Sequence, residues 1–195
     1  MSTFTPVPNG HLAAVVTHLE MFERPPPREI PTVPGNLVHH PAPDPDWYRD
    51  LFLRVGGQDW LWFSRMGMTD AELTGHLHDP ANWVYSLRVE GRDEGIMELD
   101  FRYPPDCELG YFGLTSAMVG TGAGRWLMEQ ALDLAWAEPI ARFHVHTCTL
   151  DSPQALPFYV RSGFTAYRRE IEVVKDPRLT GVLPREAASQ QPVIE

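Results

Sequence analysis

Cysteine is nearly absent from this chain: Cys107 and Cys148 are the only thiols in 195 residues. Two cysteines cannot build a disulfide framework. No N-terminal segment combines a basic start, an apolar run and a small-residue cleavage site, so the reading is a protein of the reducing cytoplasm. Both thiols read as buried small hydrophobes. Basic residues are in deficit as well, 16 against 26 acidic ones, for a formal charge of −10. A surface of that sign repels nucleic acid and anionic membranes and favours a cationic or amine-bearing partner. Long apolar runs are missing too, none approaching the roughly 20 residues that span a bilayer.

Proline and glycine punctuate what is there. Residues 1–10 are small, polar and proline-containing and read as a flexible terminus. His11 to Met21, with Val15, Val16 and Leu19, suits a first strand. Pro25, Pro26, Pro27, Pro31 and Pro34 forbid both helix interior and central strand, so this piece is expected to run extended over the surface, with a short edge strand at Asn36 to His40. Asp46 then opens a helical pattern through Trp47, Leu51, Leu53 and Val55, which Gly56 and Gly57 are expected to stop. Thr69 and Glu72 have the spacing of a capping box for a short helix ending near His78.

From Trp83 the period changes to that of strands. Trp83 to Val89, a turn at Gly91 to Gly95, Ile96 to Phe101, a turn at Pro104 to Cys107, and Glu108 to Leu114 make an antiparallel meander. Val119, Gly120, Thr121, Gly122, Ala123 and Gly124 follow, and then a helix with Leu127, Met128, Ala131, Leu132 and Ala135 on one stripe. Glycines at alternate positions let backbone amides converge on one space, and the helix behind them adds its positive dipole end, so the loop suits a pyrophosphate. A side chain at Gly122 is expected to occupy that pyrophosphate site. Pro139 ends the helix; Arg142 to Leu150 reads as a strand, Asp151 to Ser162 as a helix that Gly163 can cap, and Phe164 to Val174 as a last strand. Pro157 lies deep in that second helix, which argues for a bend or a later start. Beyond Asp176 the tail has no periodicity and is expected to be disordered or pinned against a partner. The result is one domain over 11–175, divided into a front part at 11–82 and a β-α-β core at 83–175, with a tail at 176–195.

Together these residues resemble the GNAT superfamily of acyl-CoA-dependent N-acyltransferases. The family's phosphate loop, Q/R-x-x-G-x-G/A, corresponds to Val119 through Gly124. Its downstream segment, N-x-x-A-x-x-x-Y-x-x-x-G-F, is matched from Ala155 through Tyr159, Gly163 and Phe164, with Ser152 standing where asparagine is common. Val119 replaces the family's Gln or Arg, and Ser116 stands where a proline is common. Neither change deletes a backbone donor, and Arg125 offers a charge beside the loop.

The resemblance implies a mixed, mostly antiparallel α/β sheet with a β-α-β acyl-CoA-binding core and flanking helices. It implies acetyl-CoA as acyl donor, held by Leu114, Ser116, Val119, Gly120, Thr121, Gly122, Ala123, Gly124, Arg125 and Ser152. In the family fold the strands matching Glu108 to Leu114 and Arg142 to Leu150 splay apart to admit the pantetheine arm. Tyr159 matches the tyrosine that protonates the leaving thiolate. Glu108 matches a strand position where some members carry their general base, and Glu98 on the preceding strand is a second carboxylate within reach. The acceptor is a small amine or a protein N-terminus, some of Trp60, Trp62 and Tyr111 line its pocket, and edge-strand pairing into a homodimer is compatible with the sheet. His144, His146 and Cys148 alternate on one strand face but stand about 7 Å apart, so no metal is assigned. His146 near the cleft can relay a proton or meet the substrate. A non-catalytic acyl-CoA-binding or sensing module is the rival reading. A nucleotide-binding enzyme is a weaker one, since the loop lacks the Lys-Ser/Thr ending of a P-loop.

Overall fold

The structure, a computed structural model, describes residues 4–195. Of the terminus expected at 1–10, the first three residues lie outside the described part, and 4–8 run irregular and exposed into a turn at Asn9 and Gly10. Strand β1, His11–Met21, follows, and then a stretch without regular structure through the proline cluster to the edge strand β2, Asn36–His40. The proline stretch is tied down by two arginines. Arg28 reaches the buried Glu129 at 2.7 Å and Arg24 pairs with Asp133.

Helix α1, Pro45–Phe52, begins where Asp44 accepts from the amides of Asp46 and Trp47, with proline at its first position. The expected stop at Gly56 and Gly57 does not occur. The chain widens into a π-helical turn at Leu53–Gly57, continues as the single turn α2, Gln58–Trp60, and ends at Leu61 in the left-handed conformation, φ 56°. The two glycines serve packing instead: a Cβ on Gly56 would lie 2.0 Å from the indole of Trp62. Helix α3, Asp70–Leu77, carries the capping box that Thr69 and Glu72 predict.

Strands β3, Asn82–Val89, β4, Arg92–Asp100, and β5, Asp106–Leu114, form the meander. The first turn is tighter than the glycine spacing suggests. Val89 pairs with Arg92, leaving only Glu90 and Gly91, both at positive φ, as a two-residue hairpin loop. Helix α4, Ala123–Ala137, then crosses to β6, Arg142–Cys148, which lies parallel to β5. Helix α5, Ala155–Arg161, begins later than Asp151, so Pro157 falls in the first turn, where its missing N–H leaves no intrahelical bond unmade. Strand β7, Thr165–Lys175, ends the regular part.

The seven strands of the described residues are ordered β2-β3-β4-β5-β6-β1-β7, so β1 lies inside the sheet between β6 and β7. Every neighbouring pair is antiparallel except β5 with β6. One face packs on α4, whose Leu127, Met128, Ala131, Leu132 and Ala135 are all fully buried against Met97, Leu99, Phe143 and Val145. The other face is covered over β3 and β4 by α1 and α3, through Tyr48, Leu51, Phe52, Leu73 and Leu77.

The C-terminal tail corrects the expectation of disorder or a separate partner. Leu183, Ala187 and Ala188 are buried against Leu12, Ala14, Leu61 and Leu150. Arg178 holds the tail in shape. Its guanidinium takes Asp176 bidentately at 2.7 and 2.9 Å and donates to the carbonyls of Ala187 and Gln191. Backbone carbonyls and one buried ion pair leave no hydrophobic period to read.

Because Arg178 and Asp176 are both almost wholly buried, removing one strands the other. Arg178→Ala is expected to cost about 3–5 kcal/mol. That corresponds to a drop of roughly 6–20 °C in the melting temperature of a domain this size, read by calorimetry. A drop of less than about 2 °C would mean that the tail is not part of the cooperative unit.

Candidate active site

The central gap in the sheet comes from an incomplete ladder. Strands β5 and β6 pair only over Asp106–Glu108 and Arg142–His144, and then part while β5 continues to Leu114 and β6 to Cys148. The facing backbone edges beyond that point have no ladder partner in each other and open on a cavity of about 1300 Å³. An extended ligand carrying amide groups can satisfy such edges as an inserted strand does.

One end of the cavity is the glycine loop. Gly120 and Gly122 have φ of 82° and 89°, and α4 starts directly behind them with no side-chain cap. The amides of Gly122, Gly124 and Arg125 have no protein acceptor among the described residues, whereas Trp126 already donates to Gly122. Arg125 and Arg161 line the same end and make no ion pair among the described residues. Free amides, a helix dipole and two unpaired guanidiniums fit a pyrophosphate.

Leu114, Val119, Gly120, Gly122, Gly124, Arg125 and Ser152 line the cavity. Ser116, Thr121 and Ala123 do not. Ser116 is exposed in a turn, the Thr121 hydroxyl donates to the Met118 carbonyl at 2.8 Å, and Ala123 is buried beneath the loop. Gly122 also differs from expectation. Its absent Cβ would point at Pro31, 2.7 Å from Cγ, so glycine there admits the proline strap, while Gly120 faces open space.

Tyr159 on α5 lines the cavity at the base of the splay, 6% exposed, with its ring against Phe112, Phe158 and Phe164. Its hydroxyl makes no hydrogen bond among the described residues, and burial raises its pKa above the ordinary tyrosine value. Glu108 sits at the fork, where its carboxylate accepts from His146 Nδ1 at 3.0 Å. That hydrogen bond lowers the Glu108 carboxyl and raises the His146 imidazole, against burial in both cases.

Glu98 does not share the cleft. It is 1% exposed and takes the Tyr48 hydroxyl, His76 Nε2 at 3.0 Å and Arg65 at 3.4 Å. Burial pushes its carboxyl up, but Arg65, His76 and Tyr48 outweigh this and hold it at about 2. It is a structural anion.

Trp60, Trp62 and Tyr111 all line the other end. Trp62 packs 5.0 Å from Tyr111 and donates its indole N–H to Asp151 at 2.9 Å. Asp151 in turn accepts from the Thr147 hydroxyl and the Cys148 amide, which fixes this wall to the end of β6. Asp151, Ser64, Arg65 and Arg161 escape sequence reasoning, because nothing in their local spacing brings them to one cleft.

A family model described as the acetyltransferase (GNAT) family matches residues 45–164. Comparison with curated proteins gives no match. Among solved structures, a GNAT-family protein from Novosphingobium aromaticivorans is 17% identical, with a TM-score of 0.57 over 87% of this chain and 68% of its own. A GCN5-related N-acetyltransferase from Sphaerobacter thermophilus is 13% identical with a TM-score of 0.60 over 90% of this chain; the match spans 54% of that protein's length. An acetyltransferase from Bacillus subtilis, solved in complex with CoA, is 16% identical with a TM-score of 0.51 over 67% of this chain and 76% of its own. At these identities the likeness is one of fold.

Replacing Glu108 by Gln removes the carboxylate that raises the His146 imidazole and leaves burial to lower it. The His146 pKa is therefore expected to fall in Glu108→Gln, measured by NMR titration of the imidazole protons. In the parent protein the signs are fixed by the two shifts: the pair's contribution to stability is complete between the ordinary carboxyl and ordinary histidine values, and is lost as pH rises through the raised histidine value or falls through the lowered carboxyl one. An unchanged titration would mean that the two side chains do not pair in solution.

Proposed function

This chain belongs to the GNAT family of acetyltransferases, and from that premise we propose that it is an acetyl-CoA-dependent N-acetyltransferase acting on an amine, either a small molecule or a protein N-terminus. One observation carries the reading. A single cavity joins a cradle of free amides and arginines at one end to Tyr159 and the Glu108–His146 pair where the strands part.

When bound, the donor supplies an acyl thioester. The chain's residues do the rest. The free edges of β5 and β6 hold an extended arm in line, and the cradle anchors its phosphates. An alkylamine with a pKa near 10 is almost wholly protonated at neutral pH, so a proton must leave its nitrogen before it can attack. Glu108 is ionised because His146 lowers it, and its second oxygen, Oε2, is free of that pairing. Glu108 therefore draws the ammonium in and accepts its proton directly or through water. His146, half-exposed, passes charge on to solvent.

Tyr159 holds its proton at every physiological pH, since burial raises an already high value. Its hydroxyl is a donor awaiting a partner. A departing thiolate in the same dry site is penalised by the same loss of solvent, which keeps the gap between phenol and thiol from widening and lets the proton cross. The rival reading, a non-catalytic acyl-CoA-binding module, draws on Val119, an exposed apolar side chain at the cradle where the family carries a polar one.

Acetyl-CoA at a hundred times its dissociation constant is expected to add about 2.7 kcal/mol. That raises the melting temperature by roughly 5–10 °C, with ATP and NADH inert. Thiol release in the presence of amines then separates the two readings. Tyr159→Phe should lower turnover roughly a hundredfold or more and leave the thermal shift intact. Binding without turnover on any amine would favour the sensing module; no shift at all would defeat both.

A further inference from the structure

Arg65 stands at the acceptor end of the cavity with most of its donors unspent. Its one hydrogen bond among the described residues is a long one, 3.4 Å from Nη2 to Glu98. Nε is buried with no acceptor, and no partner is found for Nη1 among the described residues. Glu98 does not depend on Arg65 alone, being bonded to Tyr48, His76 and Asn82 as well. A guanidinium with five donors that spends one weakly is poised for an outside acceptor. The second arginine lining this end, Arg102, differs: Asp100 takes it bidentately at 2.6 and 2.9 Å.

The surroundings decide which acceptor suits it. Arg65 lies over the Tyr111 ring, 5.1 Å to its centre, and the Tyr111 hydroxyl is paired with Ser64. On β5 the pairing register shifts between Leu109 and Tyr111, so Gly110 is an extra residue and Tyr111 comes next after Glu108 on the same face. One same-face step along a strand is about 7 Å. The carboxylates of Glu108 and Glu172 line the far side of this end, and Glu172 makes no ion pair among the described residues. The acceptor end is thus dipolar, with a guanidinium that has donors to spare at Arg65, and carboxylates at Glu108, whose second oxygen is unpaired, and at Glu172.

We propose that the acceptor is an amino carboxylate of amino-acid size. Arg65 receives its carboxylate, with the Ser64–Tyr111 hydroxyl pair as a second contact, and the Glu108 side receives its amine. This rests on the N-acetyltransferase reading for the fate of the amine, but carboxylate recognition can be measured without turnover. The aromatic wall of Trp62 and Tyr111 beside the guanidinium suits an apolar or aromatic side chain on the same molecule.

The test is calorimetric titration of the full chain, saturated with CoA, with N-acetyl-L-phenylalanine and with its primary amide, which differ in the carboxylate alone. The acid is expected to bind at least about tenfold tighter than the amide, in line with one charge-assisted hydrogen-bonded pair. Arg65→Gln should erase that preference. Should the single change unfold the protein by leaving Glu98 buried and uncompensated, the double variant Arg65→Gln with Glu98→Gln removes both charges and must erase it too. Equal binding of acid and amide, a preference that survives in either variant, or no binding of either compound would overturn the proposal. Failure of the transferase reading looks different: acid preference intact, with no thiol released from acetyl-CoA on any amine.

Discussion

Everything in this protein turns on the short ladder between β5 and β6. A sheet is stable because its amides pair, yet here the pairing stops after Glu108 and His144 and two central strands diverge with their edges open. Such a break in the middle of a sheet needs a brace. Helix α4 supplies it by laying one apolar stripe across both halves, touching Met97 and Leu99 on one side and Phe143 and Val145 on the other. Each buried leucine or methionine there is worth about 1.5–3 kcal/mol. The same helix delivers its N-terminus to the mouth of the fork, so the brace and the phosphate cradle are one element.

Two glutamates on adjacent strands show how environment assigns roles. Glu98 and Glu108 project to the same face, and in the sequence only the family resemblance puts Glu108 ahead. The difference lies in what covers them. Helices α1 and α3 close over Glu98 and surround it with Tyr48, His76 and Arg65, which makes it a fixed anion. Glu108 lies past the edge of that cover, beside one half-exposed histidine, with an oxygen to spare.

Much of the fold is legible in the chain, because local chemistry decides it. The capping box at Thr69, the α4 stripe and the strands read at His11 to Met21 and Trp83 to Val89 all stand in the structure, and so does the edge strand at Asn36–His40. What escapes reading is long-range. Gly56 and Gly57 look like a stop, and only the position of Trp62 reveals them as clearance. Gly122 reads as keeping a side chain off the ligand, and only the returning strap of Pro31 reveals that the side chain would meet the proline instead. Arg65 and Asp151 belong to no motif, and their convergence on the cleft follows from the packing of distant segments. The tail resists for another reason, since it is held by Arg178 and carbonyl groups, which leave no period behind.

The placement of β1 carries a consequence for how the polypeptide is made. It leaves the ribosome before the other six strands of this sheet, yet its two neighbours, Arg142–Cys148 and Thr165–Lys175, are the last two of them. Until they emerge, the nascent chain carries an unpaired strand with Leu12, Val15, Val16 and Leu19 open to solvent. The half of the sheet that borders the cleft on this side therefore assembles only after Lys175 has emerged, while the β3–β5 meander can close on its own beforehand.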